Sequence, residues 1–201
     1  MQRGRLMHWG GVAAMMGGAL WSAWAVLVSL KPEGCIAAEC DLPGRSARSY
    51  DDLAPVLILA VVLIGAGVVA VAMMARAAGR FGRLGRAGLI LGVLGAFALA
   101  ASLLVQTLFY EGDFPLMPTF VIPGGLALAV GFLLFGISLL RVLPRWAGVL
   151  LVLGALAMLG VNDQNERVLL AIPFGIAWMA VGYVLWSGKG EPQATAAVRV
   201  A

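Results

Sequence analysis

Six long apolar stretches follow one another along the chain, divided by short polar breaks: Met7 to Leu30, Leu53 to Ala75, Ala87 to Tyr110, Phe120 to Leu140, Ala147 to Val161, and Val168 to Trp186. Most have roughly the 17 to 25 residues that a helix needs to cross a hydrocarbon layer. They lack the alternating pattern of a membrane-barrel strand, and a backbone in lipid must satisfy its own N–H and C=O groups, so each reads as a helix. The expected architecture is all-α: one polytopic transmembrane domain over residues 1–201, with six spans, a large loop at 31–52 and a tail at 187–201.

Arg3 and Arg5 before an apolar run, with Ala23-Trp24-Ala25 further on, imitate a secretory signal and its cleavage site. The apolar run continues past that tripeptide to Leu30, too long for a signal core, so the segment reads as a retained span.

Charge orients the spans. Of the 14 basic residues, ten fall on one side: Arg3 and Arg5, then Arg76, Arg80, Arg83 and Arg86 in "RAAGRFGRLGR", then Arg141 and Arg145, then Lys189 and Arg199. The opposite side carries Lys31, Arg45, Arg48 and Arg167 together with nine of the ten acidic residues. Basic loops stay in the cytoplasm, which puts both termini there and leaves an acidic outer face. The net charge of +4 does not suggest nucleic acid. The arginines are spread over short juxtamembrane loops without a basic aromatic platform, and anionic lipid headgroups account for them.

Composition narrows the chemistry. Hydrophobic residues make up 62% of the chain and charged ones 12%, about half the share usual in soluble domains. The cores of the six stretches hold no Asp, Glu, Lys or Arg. A proton-coupled pump normally needs such a residue, and a retinal Schiff base needs a lysine. His8 is the sole histidine, so a haem held by two histidines of this chain is excluded, and a Ser-His hydrolase would depend on that one residue. Ser138 in Gly136-Ile137-Ser138 accordingly reads as a packing hydroxyl, and the nine methionines read as packing or lipid-facing residues. Two cysteines and one distant histidine cannot furnish the usual four zinc ligands. Cys35 and Cys40, in "CIAAEC" on an oxidising face, read as a local disulfide; they lack the C-x-x-C spacing of redox pairs, and Glu39 and Asp41 disfavour a reactive thiolate. No catalytic residue, metal ligand or cofactor is assigned.

The 27 glycines read as packing devices. Gly88 and Gly92 form G-x-x-x-G, and Gly10, Ala14 and Gly18 form a similar small-residue face. Pro123-Gly124-Gly125 lies inside the fourth span, where it loosens the first turns. "RAGLILGVLGAFALA" from Arg86 echoes "RWAGVLLVLGALAML" from Arg145 at an offset of 59, the mark of a parallel hairpin repeat if it reflects duplication. Of the tryptophans, Trp9, Trp24, Trp146 and Trp186 read as interface anchors, whereas Trp21 and Trp178 lie deep enough to line a pocket.

Within "ISLLRVLPRWAGVLLVLGAL", Ile137 to Leu156, the Leu-Pro-Arg-Trp-Ala-Gly turn between two apolar runs resembles a hairpin of uncharacterised small multi-spanning bacterial membrane proteins of actinobacterial type. The resemblance covers about a tenth of the chain. It implies a bacterial plasma-membrane setting and no catalytic residues.

Candidate functional residues remain only on the outer face. The fifth stretch has 15 residues, roughly 22 Å of helix against about 30 Å of hydrocarbon. Either Arg145 snorkels and the bilayer thins, or the polar run after the stretch, "NDQNER", dips below the outer membrane surface, where its groups need partners within the protein. An ordinary solvated turn is one reading. The other joins Asn162, Asp163, Asn165 and Glu166 to Gln106, Tyr110, Glu111 and Asp113 as an acidic vestibule for a cation or polar head group. Three functions fit: a non-catalytic membrane module, either an assembly subunit with a membrane-protein partner or second copy, or a binder of a small lipophilic ligand; a facilitative transporter or channel using the vestibule; and an enzyme acting on lipid at the outer carboxylates.

Overall fold

Apolar runs this long can satisfy their backbones only as helix, and among the described residues the chain forms six of them. The computed structural model describes residues 2–35, 40, 42–44, 46–49, 51–109 and 116–188. Within them lie α1 (Gln2–Ser29), α2 (Ala54–Ala77), α3 (Arg83–Phe109), α4 (Met117–Leu139), α5 (Arg145–Met158) and α6 (Ile172–Trp186), with short 3₁₀ segments at Asp51–Leu53 and Glu166–Ala171 and no strand among the described residues. Taking Glu166–Trp186 as one stretch, five of the six are long and apolar enough to cross a membrane, and the 14-residue α5 is shorter.

The helix ends follow local chemistry. Pro118 and Pro173 sit in the first turns of α4 and α6, where the missing N–H costs nothing. Gly79, at φ +66°, ends α2 in a Schellman arrangement: its N–H bonds to the Arg76 carbonyl and that of Arg80 to the Ala75 carbonyl. Pro123 is accommodated inside α4, which runs on through it to Leu139.

The helices pack in a curved row, α2 on α1, α1 on α6, α6 on α5, α5 on α4 and α4 on α3. Glycine sets the closest approaches. A methyl group at Gly11 would lie 2.7 Å from the Gly182 carbonyl oxygen, and one at Gly88 would lie 2.5 Å from the Phe135 nitrogen. Gly131 of α4 is pressed against the Gly92 backbone, as the G-x-x-x-G spacing leads one to expect. The expected Gly10-Ala14-Gly18 face divides instead between two neighbours. Gly10 and Ala14 meet Ala70 and Gly67 of α2, while Gly18 meets Gly175 of α6. Successive positions on a helix turn by about 100°, so α1, sandwiched between two helices, uses two small-residue stripes rather than one. The equivalent glycines of the offset-59 echo, Gly95 and Gly154, each lie against the helix that follows, α4 and α6 respectively.

Trp178 fills the centre. It is fully buried, with its ring 5.7 Å from that of Phe132 on α4 and 6.3 Å from that of Phe174, while Trp21 of α1 lies 5.4 Å from Phe174. Edge-on aromatic contacts of this kind add about 0.5 to 1.5 kcal/mol each beyond the area they bury.

Candidate functional site

The polar turn after α5 is ordered by hydrogen bonds of its own and by bonds to the loop between α1 and α2. α5 stops at Met158, shorter than the apolar run that encodes it, and the chain turns through Leu159 and Gly160 before the 3₁₀ segment packs beside α1. Two Asn side chains organise the turn: Asn162 Oδ1 accepts from the Gln164 N–H at 2.9 Å, and Asn165 Oδ1 accepts from the Arg167 N–H at 2.9 Å. Both are the local side-chain-to-backbone bonds that make Asn a turn former.

Arg48 holds the turn to the rest of the protein. Its side chain, 6% exposed, comes from the loop between α1 and α2 and donates only to main-chain oxygens in the bonds that define its seat. Nε reaches Pro32 O at 2.8 Å, Nη2 reaches Lys31 O at 3.1 Å, and Nη1 reaches Asp163 O at 3.1 Å and, more weakly, Asn165 O at 3.4 Å. A guanidinium suits this place because its donors form a rigid planar fork and carbonyls carry partial negative charge without adding a second ion. Gln164 completes the clasp from the other side: its carboxamide oxygen accepts from the Arg48 N–H at 2.6 Å, and its main-chain oxygen from the Gly34 N–H at 2.9 Å. A side chain at position 34 would collide with both the Gln164 carboxamide and the Arg48 backbone, so the approach requires glycine.

Cys35 and Cys40 are joined as a disulfide, with Cα atoms 5.1 Å apart, and the Cys35 N–H bonds to Ser46 O at 3.2 Å. The disulfide expected from the two cysteines is therefore present, set beside the Arg48 clasp. At the start of α2, Lys31 Nζ pairs with the Asp52 carboxylate and donates to Ser49 O at 3.1 Å. That donor holds the Asp52 carboxyl below its ordinary value, with the Lys31 charge also contributing.

Of the residues expected to form an acidic vestibule, Asn162, Asp163 and Asn165 are half-buried in the clasped turn and Glu166 is exposed. Gln106 falls in the last turn of α3. Tyr110, Glu111 and Asp113 lie outside the described residues. The main-chain oxygens of Asp163 and Asn165 accept from the buried Arg48 side chain, while the Asn162 and Asn165 side chains bond within the turn. Sequence reasoning assigned Arg48 only to the acidic face; its one signal was the requirement that a sunken polar turn find partners inside the protein. Ser138, expected as a packing hydroxyl, donates to Phe135 O at 2.7 Å and lies against Gly85.

At the opposite end a small cavity of about 110 Å³ is lined by Met7, His8, Met74, Leu185 and Trp186 among others. Small-molecule sites usually have at least about 300 Å³. Among the described residues no cluster of His, Cys, Asp and Glu is arranged to hold a metal ion. Trp178, one of the two tryptophans expected to line a pocket, packs among aromatic rings instead, and its indole N–H has no acceptor among the described residues. No protein-family model, curated protein or solved structure matches the chain.

Proposed function

We propose that this chain is a multi-spanning protein of the bacterial plasma membrane, with both termini cytoplasmic, that serves as a non-catalytic module. The observation that carries the reading is the filled interior. The helices meet through Gly and Ala backbones, Trp178 and Phe174 close the centre, and no Asp, Glu, Lys or Arg occupies the core cluster. A facilitative pathway would need polar, wettable side chains deep in several helices. Between the two forms of module, an assembly subunit fits better than a binder of a lipophilic ligand, because the 110 Å³ cavity is small and lies at one end.

Single cysteines placed in membranes, in a background lacking Cys35 and Cys40, test both halves of this reading. Val71→Cys, Ala129→Cys and Ala177→Cys should resist a charged, water-soluble thiol reagent, whereas Arg83→Cys and Asp113→Cys should react from opposite sides. Rapid labelling at the three interior positions would replace the module with a water-filled pathway. Labelling of positions 83 and 113 from one side would overturn the six-span topology.

A further inference from the structure

Six arginines gather where the α2–α3 and α4–α5 connections lie. Arg76 is in the last turn of α2, Arg80 in the following turn, Arg83 and Arg86 in the first turn of α3, Arg141 in the α4–α5 turn, and Arg145 at the start of α5. Neither connection contains an Asp or Glu, and among the described residues none of the six pairs with a carboxylate.

The fold draws these cations together. Gly85 lies so close to Ser138 that a methyl group there would sit 2.9 Å from the Ser138 hydroxyl oxygen, which places the first turn of α3 beside the end of α4. Arg80 Nη1 then donates to the Arg141 main-chain oxygen at 2.6 Å, bonding one basic turn directly to the other. The Arg76 guanidinium lies 5.2 Å from the centre of the Phe81 ring, a cation–π seat. Like charges gathered in one region repel unless an anion lies among them.

Beside this cluster the packing opens. α2 and α3 are consecutive and joined only by residues 78–82, yet they barely touch, since α2 leans on α1 and α3 on α4. Both helices expose large aliphatic side chains, among them Val62 and Val69 on α2 and Ile90, Val93 and Leu94 on α3. A cationic cluster at the joined ends of two helices with exposed apolar surfaces has the polarity of a phospholipid: charged head, apolar tails.

We infer that this region binds an anionic phospholipid. Arg80, Arg83 and Arg141 hold the phosphodiester, and the acyl chains lie along the seam between α2 and α3. The inference rests on the membrane reading above and goes beyond it, because it assigns a stoichiometric site rather than diffuse attraction of basic loops to a charged surface.

The full chain in phosphatidylcholine nanodiscs, titrated with phosphatidylglycerol and read by native mass spectrometry, tests it. The wild type should retain phosphatidylglycerol in preference to phosphatidylcholine at a saturable stoichiometry. Arg80→Gln with Arg141→Gln should weaken retention roughly 25-fold, taking about fivefold for each juxtamembrane arginine. Arg3→Gln with Arg5→Gln removes the same charge from the start of α1 and should leave retention within about twofold. Arg80→Lys with Arg141→Lys should recover most of the loss. Should the first pair fail to fold, Arg83→Gln alone should weaken retention about fivefold. Equal losses in the two glutamine pairs would reduce the effect to bulk charge and overturn the site. Displacement of the lipid by millimolar inorganic phosphate would overturn the role of the seam. Insertion into nanodiscs with no lipid preference would sink this inference alone, whereas failure of the wild type to insert would sink the membrane reading with it.

Discussion

Replacing Arg48 with methionine keeps most of the side chain's volume and removes every donor. Four carbonyl oxygens, those of Lys31, Pro32, Asp163 and Asn165, then lose a partner, three of them from bonds of 2.8 to 3.1 Å and one from a longer bond of 3.4 Å. A hydrogen bond from a charged donor contributes about 1.5 to 3 kcal/mol, but methionine also escapes the cost of burying a guanidinium, which amounts to several kcal/mol. The carbonyls lie near one end of the bundle and regain water once the clasp opens. The balance comes to about 3 kcal/mol, spent on local opening of the loop rather than on unfolding the helices. Hydrogen exchange resolves it at the Gly34 amide, whose acceptor is Gln164 O across the clasp. An opening made easier by about 3 kcal/mol speeds exchange there roughly a hundredfold, while amides in the middle of α6 should be unaffected. Arg48→Lys, with a single ammonium in place of a fork, should fall between the two. Gly34 protection unchanged within about twofold in Arg48→Met would refute the clasp as the element that holds the turn.

Three further outcomes follow from the packing and the charges. Gly182→Ala places a methyl group 2.5 Å from the Gly11 carbonyl oxygen and should cost about 1 to 3 kcal/mol, whereas Gly65→Ala, with nothing within 4 Å, should be neutral or stabilising by up to about 1 kcal/mol; thermal unfolding in a fixed detergent ranks them, and equal effects would dismiss the glycine seam. Because Lys31 depresses the Asp52 carboxyl, its contribution is present above the ordinary aspartate pKa near 4 and fades as pH falls through the lower folded value. The stability gap between wild type and Asp52→Asn should therefore be small at pH 7 and vanish once pH falls below the depressed folded value, and a gap that widened on acidification would contradict the pairing. Protein alkylated without reductant should carry no label at Cys35 or Cys40; reduction should loosen the neighbouring Gly34 amide and leave the helices folded, and a global loss of helicity would show the disulfide to be a fold determinant.

The helices were readable because each is a long apolar run ended by charge or proline, and their closest seams because Gly88 and Gly92 recur at the spacing of one helix face. Other features have no such local signature. That α1 presents one glycine stripe to α2 and another to α6 depends on which helices flank it, and a uniformly apolar helix carries no polar face to announce its orientation. The estrangement of α2 from α3 runs against the expectation that consecutive helices pair. Arg48 was hidden for a different reason: its partners are main-chain oxygens, whose demand is independent of residue type, so nothing in "NDQNER" names the cation that answers it. The shortness of the fifth run was legible, and it pointed to a sunken turn without identifying what fills it.

Seating the first helix against the last also governs the order in which this chain can become itself. Gly18 emerges early, but Gly175, the backbone it rests on, follows 157 residues later, a delay on the order of 10 to 30 s at ordinary translation rates. Through that interval one flank of α1 has no permanent neighbour, while the α3–α4 hairpin can close as soon as it is made. The α1–α2 pair and the α3–α4–α5 group can therefore each form early, and α6, packed between α1 and α5, joins them last. A chain cut short before α6 therefore leaves the flank of α1 that carries Gly11 and Gly18 without the helix it rests on.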